Sequence, residues 1–359
     1  SIQYFNQVIN AKPYLSDPYF YRGLAKINLD DFQGAESDCS EAIERNPFVV
    51  SAYQVRGLAR IQQNNFAGAI EDYTKALEFD PENIGVWHNM ALCRIRQEDY
   101  KGAKNDLDKL IAISPRYTKA YLMRGEVDLK QKDTLAAEKD FGKAIEIDRY
   151  DADTWASRAI LRLQQQRYKD AEADFDHAIR LSTRNSGVYI NRALARYHQN
   201  NLRGAMSDYD IALDIDPNNF IGHYNRGLLR AQVGDDNRAI QDFNFVIEME
   251  PHNMMAIFNR GLLLDQTGDY KGAIKDYSTV INEYPNFLLG YQYRAQARRK
   301  IGDVKGADAD EFKVLKAQLD KQNGVDPNKQ TADNTENNKT RKKSDKNMNN
   351  YRKIVVADN

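Results

Sequence analysis

The chain repeats itself every 34 residues. Windows of that length begin at residues 16, 50, 84, 118, 152, 186, 220, 254 and 288, and no insertion or deletion interrupts them. A fixed period constrains the fold before any domain count, because each repeat must then be one structural unit that packs against its neighbours. The sequence therefore predicts a stack of nine similar units instead of the two or three globular domains that 359 residues would otherwise indicate.

Each window predicts two amphipathic helices. Place 8 of the window is glycine or alanine, and a polar turn such as Gly234 with Asp235 or Gly268 with Asp269 separates two stretches of apolar residues at helical spacing. A proline ends most windows, where a helix cannot continue. Place 20 is always alanine: Ala35, Ala69, Ala103, Ala137, Ala171, Ala205, Ala239, Ala273 and Ala307. Small residues at places 8 and 20 predict that the two helices of a window cross closely.

The wider pattern resembles the tetratricopeptide repeat, which has the same period. Aromatic residues usually fill places 4 and 24, alanine usually fills place 27, and proline usually fills place 32. The resemblance covers residues 1–321 and implies an all-α, right-handed solenoid in which the first helices line a concave face. It predicts the second helix of a truncated repeat at residues 1–15, nine full repeats at residues 16–321, and a polar linker or tail at residues 322–359.

The composition of residues 322–359 favours disorder, because Asn, Lys, Asp and Thr dominate and almost nothing is apolar. The stretch from Tyr351 to Ala357 (YRKIVVA) is an apolar exception. Three interpretations stay open for this stretch: the end of a linker, which the composition favours, the start of another domain, or a short docking segment.

Oppositely charged residues recur in register. Place 7 is arginine in every window except the third, which has Met90, and place 23 is aspartate in all nine. Because an arginine fork can hold a carboxylate through two hydrogen bonds, the register predicts one structural ion pair per repeat. An anion-binding stripe is the alternative, which the matching aspartates disfavour. The predicted pairs include Arg22 with Asp38, Arg56 with Asp72, Arg192 with Asp208, Arg226 with Asp242, and Arg260 with Asp276.

A second basic column follows at place 11, four residues after the first and on the same helix face. It includes Lys26, Arg60, Arg94, Arg162, Arg196, Arg230 and Arg298. The sequence does not identify its counter-charges.

Asparagine occupies place 6 at Asn89, Asn191, Asn225 and Asn259. The resemblance implies that this place faces the concave groove. A primary amide has one acceptor and two donors, so it can pair with both the N–H and the C=O of a peptide backbone. The row resembles the asparagine ladder with which some superhelical members of the family hold extended peptides. It predicts peptide binding by these four residues, and the alternative is exposed asparagines without a ligand.

Apolar side chains flank the asparagines and predict a trough of the kind that marks a partner site. They include Tyr224, Phe258, Leu228, Leu262 and Met255. A carboxylate clamp for chaperone tails, another use of the family, needs lysine at place 5 and asparagine at place 9. Here place 5 is variable and place 9 is almost always leucine, so that clamp is absent.

No motif in the sequence indicates catalysis. The five histidines are scattered, and no HExxH, glycine-rich phosphate loop or nucleophile elbow occurs. We therefore expect no enzyme, no cofactor and no metal site. A net charge of −1 argues against a nucleic-acid partner. No run of eighteen apolar residues occurs, so we expect no membrane span.

The leading hypothesis is a non-enzymatic interaction scaffold that binds an extended peptide or a partner's helix in the concave groove of repeats six to eight. Two alternatives stay open: a targeting or regulatory arm of a larger enzyme or cell-envelope protein, and a structural oligomerisation module. A homo-oligomer is neither implied nor excluded. The array without insertions favours a soluble bacterial protein of the cytoplasm or periplasm, although the sequence does not identify the compartment.

Overall fold

A computed structural model of the chain describes residues 2–181, 184–323, 348, 350–355 and 357. Within these residues the chain forms nineteen α-helices and no β-strand. The helices fall into two compact units, Ser1–Leu161 and Arg162–Asn359. The prediction of an all-α solenoid is confirmed.

The first unit contains ten helices, the last of which runs on past its boundary: α1 (Ile2–Ala11), α2 (Asp17–Ile27), α3 (Phe32–Arg45), α4 (Val50–Gln62), α5 (Phe66–Phe79), α6 (Ile84–Arg96), α7 (Tyr100–Ile113), α8 (Thr118–Lys130), α9 (Thr134–Ile147) and α10 (Ala152–Gln164). From α1 to α9, each helix packs against the next one along the chain.

The second unit contains nine more helices: α11 (Tyr168–Arg180), α12 (Ser186–His198), α13 (Leu202–Ile215), α14 (Phe220–Gln232), α15 (Asp236–Met249), α16 (Met254–Thr267), α17 (Tyr270–Glu283), α18 (Leu288–Lys300) and α19 (Val304–Gln322). Each again packs against the next. In addition, α14 and α18 both contact α16, so the first helices of repeats seven to nine line up side by side.

The close crossing within each repeat depends on the small residues. All nine alanines at place 20 are fully buried. At Gly57 an added methyl group would lie 2.7 Å from the ring of Tyr73, and at Gly125 it would lie 2.6 Å from the ring of Phe141. Larger side chains at these places would push the two helices of a repeat apart, which explains the small residues in the sequence pattern.

The turn between the two helices requires a left-handed residue directly before the cap of the second helix. Gly268 takes this position with φ 93°, and Asn64 takes it with φ 59° in another repeat. The side chain of Asp269 then accepts a hydrogen bond from the N–H of Gly272 at the start of α17. Asp235 occupies the equivalent place before α15 without such a side-chain bond.

The described part of the predicted tail lies against the second unit. Three of its described residues, Tyr351, Val355 and Ala357, hydrogen-bond to the repeats, which composition alone does not indicate. Residues 324–347, 349, 356 and 358–359 of that tail lie outside the described residues.

Candidate functional site

Three first helices of the second unit bring three of the predicted asparagines into one row. Asn191 lies on α12, Asn225 on α14 and Asn259 on α16. Their side chains are almost completely buried, with 0%, 0% and 4% of each residue exposed. Buried amides must find hydrogen-bond partners, so the surroundings of this row decide its role.

A segment of the same chain covers the row. We call Met348, residues 350–355 and Ala357 the docked segment. The Asn191 amide donates to the carbonyl oxygen of Ala357 and accepts from its N–H, both at 2.9 Å. Asn225 pairs in the same way with Val355, at 2.7 and 2.8 Å. Two asparagines of adjacent repeats thus hold the backbone of two residues that are two positions apart.

The two-residue spacing is what an extended backbone offers. In a strand-like chain, alternate residues direct their N–H and C=O groups to the same side, 6.4–6.8 Å apart for every two residues. The backbone at Lys353, Ile354, Val355 and Ala357 belongs to no helix or turn. The asparagine row therefore binds this part of the docked segment as an extended chain.

Tyr351 is bound through its carbonyl oxygen, which accepts from the hydroxyl of Tyr224 at 2.7 Å and from the amide of Asn259 at 2.5 Å. Asn259 also donates to the carbonyl of Met255 in its own helix, at 2.9 Å. Next to this point the segment turns, since the N–H of Lys353 donates to the carbonyl of Asn350 at 2.8 Å.

Apolar side chains of the groove surround those of the docked segment. The ring of Phe258 meets the ring of Tyr351 edge to face, with centroids 4.8 Å apart. Leu228 and Leu262 line one cavity together with Ile354. Ala357 belongs to a buried cluster around α12 and α13, and Met348 to another around α16 and α17 that the partly buried Met255 packs against.

The fourth predicted asparagine lies elsewhere. Asn89 is partly buried on α6, in the first unit, beside Tyr73. It is therefore not part of the row of Asn191, Asn225 and Asn259 that holds the docked segment.

The structure places the predicted arginines of five repeats beside their aspartates. Arg226 reaches Asp242 through Nε and Nη2, at 3.2 and 2.7 Å. The same two-pronged geometry joins Arg22 to Asp38, Arg56 to Asp72, Arg192 to Asp208, and Arg260 to Asp276. Each aspartate is at least 95% buried and each arginine partly exposed, so these pairs are part of the packing between helices.

The same arginines also tie each repeat to the one before it. The remaining guanidinium nitrogen of Arg226, Nη1, donates to Asp210 on α13 of the preceding repeat at 2.9 Å. Nη1 of Arg192 donates in the same way to Asp176 on α11 at 2.7 Å. The second basic column uses the same buried aspartates: Arg230 donates to Asp242 at 2.7 Å. One carboxylate thus binds two arginines. The sequence pattern does not identify this aspartate as the partner of the second basic column.

The third repeat lacks the first of these arginines, and its aspartate shows the effect. Asp106 keeps a bond to Arg94 at 2.9 Å, but its second oxygen is buried without a hydrogen-bond partner among the described residues. Met90 stands where the other repeats have arginine. Burial therefore raises the pKa of Asp106 to about 6, against the attraction of Arg94.

With this geometry described, the family can be tested by comparison. Profiles described as tetratricopeptide repeat match residues 84–117, 118–151, 157–220 and 224–286, and one described as TPR repeat matches residues 57–93. Together these matches span more than half of the chain. The chain belongs to the tetratricopeptide repeat (TPR) family. A comparison with curated proteins found no match.

Solved structures share the TPR fold at low sequence identity. A TPR protein from Parabacteroides merdae has a TM-score of 0.53 and 21% identity, covering 69% of this chain and 98% of that one. The C-terminal part of a TPR protein from Cytophaga hutchinsonii has a TM-score of 0.53 and 18% identity, covering 64% of this chain and 95% of that one. A chain of the APC/C hetero-tetramer Cut9–Hcn1 has a TM-score of 0.53 and 14% identity, covering 73% of this chain and 52% of that one. At these identities the similarity concerns the fold alone.

The described residues of this TPR protein bear on metal sites, membrane spans and reactive thiols. No group of three His, Cys, Asp or Glu side chains among them is placed to hold a metal ion. None of their helices is long and apolar enough to cross a membrane. Cys39 and Cys93 are buried free thiols, and burial raises the thiol pKa to about 12 and about 11, which suppresses the reactive thiolate.

Proposed function

We propose that this TPR protein is a non-enzymatic interaction scaffold whose second unit binds an extended peptide across α12, α14 and α16. The TPR fold is a general scaffold for protein–protein interaction. The observation that supports the specific groove is the pairing of Asn191 and Asn225 with both the N–H and the C=O of one backbone residue each.

This pairing favours an extended peptide over a partner's helix. A helix satisfies its interior N–H and C=O groups within itself, so it has few backbone groups left for an amide side chain. An extended chain has both groups free at every residue. Backbone bonds of this kind supply affinity without reading side chains, while the neighbouring apolar pockets supply specificity.

Removing the asparagine amides tests the proposal. A variant in which the docked segment cannot occupy the groove, Tyr351→Asp with Ile354→Asp, would be screened in the full chain against a displayed random peptide library. The selected peptides would then be measured against the same chain carrying Asn191→Ala, Asn225→Ala and Asn259→Ala. The three amides make five hydrogen bonds to the bound backbone, so at about 1 kcal/mol net each we expect binding to weaken by about 5 kcal/mol, on the order of several thousandfold.

A matched control uses asparagines outside the groove. Asn218 and Asn237 are exposed, and their replacement by alanine should leave peptide affinity unchanged. Circular dichroism would establish equal helicity of all variants. If the selected peptides bind the triple alanine variant as tightly as its parent, the asparagine row is not the binding surface and the proposal fails.

A further inference from the structure

The docked segment buries every third side chain. Met348, Ile354 and Ala357 are 2%, 8% and 3% exposed, and the ring of Tyr351 packs against Phe258. Among the described residues between these positions, Asn350, Arg352, Lys353 and Val355 are exposed. The groove therefore distinguishes two classes of position in the chain that it holds.

The three-residue period matches the spacing of the repeats. Helices pack about 8–10 Å apart, and three extended residues span about 10 Å. One side chain of the ligand can therefore enter the groove per repeat. This extended spacing applies to the step from Ile354 to Ala357, whereas the steps from Met348 to Ile354 pass through turns, in which the N–H groups of Tyr351 and Lys353 each donate to a carbonyl three residues earlier in the segment.

The pockets differ in size and character. The pocket of Tyr351 has an aromatic wall, because Phe258 and Tyr293 belong to the same apolar cluster as Tyr351. The pocket of Ile354 is aliphatic, with Leu228 and Leu262 in its lining. Around Ala357, the side chains of Ile190 and Leu229 are fully buried in one cluster with it, which leaves room for little more than a methyl group.

We propose that the groove selects peptides that turn at one end and are extended at the other, with a buried side chain at every third position, aromatic, then aliphatic, then alanine-sized, and that the docked segment is a resident ligand of this class. An external peptide must displace that segment to bind. This inference rests on the proposed function and adds to it the ligand class and a built-in competitor.

Competition follows from the covalent connection. A segment tethered to its own groove acts at an effective concentration that the length of the connection sets, on the order of 1 mM. If the free peptide binds with a dissociation constant of about 10–100 μM, the tethered copy weakens external binding by about ten- to a hundredfold. Only partners that bind more tightly, or that are presented in several copies, would open the groove.

Anisotropy of a fluorescein-labelled synthetic peptide with the sequence of residues 346–357 (KNMNNYRKIVVA) tests both parts in the full chain. The peptide should bind the Tyr351→Asp, Ile354→Asp chain, and should bind the wild-type chain about ten- to a hundredfold more weakly. Because both substitutions lie in the segment and outside the repeats, circular dichroism should show the same helicity for both chains.

Substituted peptides then test the pattern against the Tyr351→Asp, Ile354→Asp chain. A peptide with Tyr351→Ala and Ile354→Ala, or one with Ala357→Leu, should lose most of its affinity. A matched peptide with Arg352→Gln and Lys353→Gln changes exposed positions and should bind as the native peptide does.

Each contrary result identifies what fails. Equal binding to both chains overturns the resident ligand and leaves the proposed function standing. Equal losses at exposed and buried positions overturn the three-residue pattern. No binding to the substituted chain overturns the inference as a whole, and the random-library selection then judges the proposed function separately.

Two further measurements complete the test on the wild-type chain. Its amides at Val355 and Ala357 should exchange slowly with solvent, and excess peptide should speed their exchange. Light scattering should show a monomer. Oligomers that dissociate in the Tyr351→Asp, Ile354→Asp chain would place the segment in the groove of a second copy and overturn the same-chain arrangement.

Discussion

Replacing Met90 by arginine is expected to complete the ion-pair ladder and to change how the stability of the first unit depends on pH. In the neighbouring repeats, Arg56 and Arg124 bind their aspartates through two bonds of 2.6–3.1 Å. At Met90, Thr74 of the preceding repeat lies 3.9 Å from the sulfur. It stands where Ser40 accepts from Arg56, so an arginine at position 90 would find both acceptors in place.

The size of the effect follows from the pKa of Asp106. Burial raises it from the ordinary 3.8 to about 6. A carboxyl group that binds its proton more tightly in the folded protein than in the unfolded chain stabilises the fold less as pH rises between those two values. A difference of about two pH units corresponds to about 3 kcal/mol, which the wild type loses on going from acid to neutral pH. A two-pronged arginine should remove most of this loss.

The comparison of wild type, Met90→Arg and Asp106→Asn isolates this group, because every other carboxyl is common to the three. Solenoids need not unfold in one step, so hydrogen exchange of the α6 and α7 amides is the local probe, with urea unfolding as the global one. Between about pH 4 and pH 7.5, the wild type should lose about 2–3 kcal/mol relative to Asp106→Asn. Over the same pH range, the free energy of unfolding of Met90→Arg should fall much less than that of the wild type. The loss of the methionine side chain adds a destabilisation that does not depend on pH.

The carboxyl titration can also be followed directly by NMR. Asp106 should titrate near pH 6 in the wild type and at clearly lower pH in Met90→Arg. If the wild-type carboxyl titrates near 4, or if the stability gap between the wild type and Asp106→Asn is the same at both pH values, then the missing arginine has no energetic consequence and the reasoning is refuted.

Three further expectations concern single side chains. Tyr209→Phe should raise the free energy of unfolding by about 1 kcal/mol in urea titrations, because the Tyr209 hydroxyl is buried without a hydrogen-bond partner among the described residues; an unchanged or lower midpoint would contradict this. Arg226→Lys should cost about 1–2 kcal/mol of stability, because an ammonium group cannot reproduce the two-pronged bond to Asp242, whereas Arg203→Lys at an exposed site should cost nothing measurable. Cys39 should resist thiol alkylation at about pH 8 until the chain unfolds, since burial raises its pKa to about 12; rapid labelling of the native protein would show that the thiol is accessible.

Much of the fold was predictable because the same residue types recur at the same places of every repeat, so each packing requirement is seen several times in the sequence. Alanine at place 20 recurs in all nine windows, and the packing that requires it, a fully buried contact between two helices, recurs with it. The ion pair between place 7 and place 23 was also predictable from the sequence. Opposite charges at one buried place on each helix of a repeat have few other groups with which to pair.

The rest depended on contacts that the period does not encode. The bond from Asn191 to Ala357 joins residues 166 positions apart, and nothing in the asparagine row specifies its partner. The signal that could have found it is the apolar stretch from Tyr351 to Ala357 within an otherwise polar tail. Composition alone favours a linker for such a tail, because it averages away a short stretch with a few well-placed apolar side chains.

The geometry of the docked segment reflects a conflict between two periods. Side chains enter the groove every third residue, about one per repeat, but a strand presents the same backbone face only every second residue. Asn191 and Asn225 can therefore hold Ala357 and Val355 by both backbone groups, but the same step cannot be repeated indefinitely without losing register with the repeats. The segment resolves this by turning. The N–H of Tyr351 bonds within the segment to Met348, which leaves the Tyr351 carbonyl for Asn259 and Tyr224.

The conflict explains why a row of identical asparagines need not make identical bonds. The asparagines at its two ends act differently: Asn191 and Asn225 pair with an extended backbone, whereas Asn259 donates to a carbonyl that a turn presents. A ligand that is extended throughout would meet Asn259 out of register, and one that turns too early would lose Asn225. Under the proposed function, the asparagines therefore contribute to selectivity through the shape of the backbone, and the apolar pockets contribute through the side chains that this shape can present.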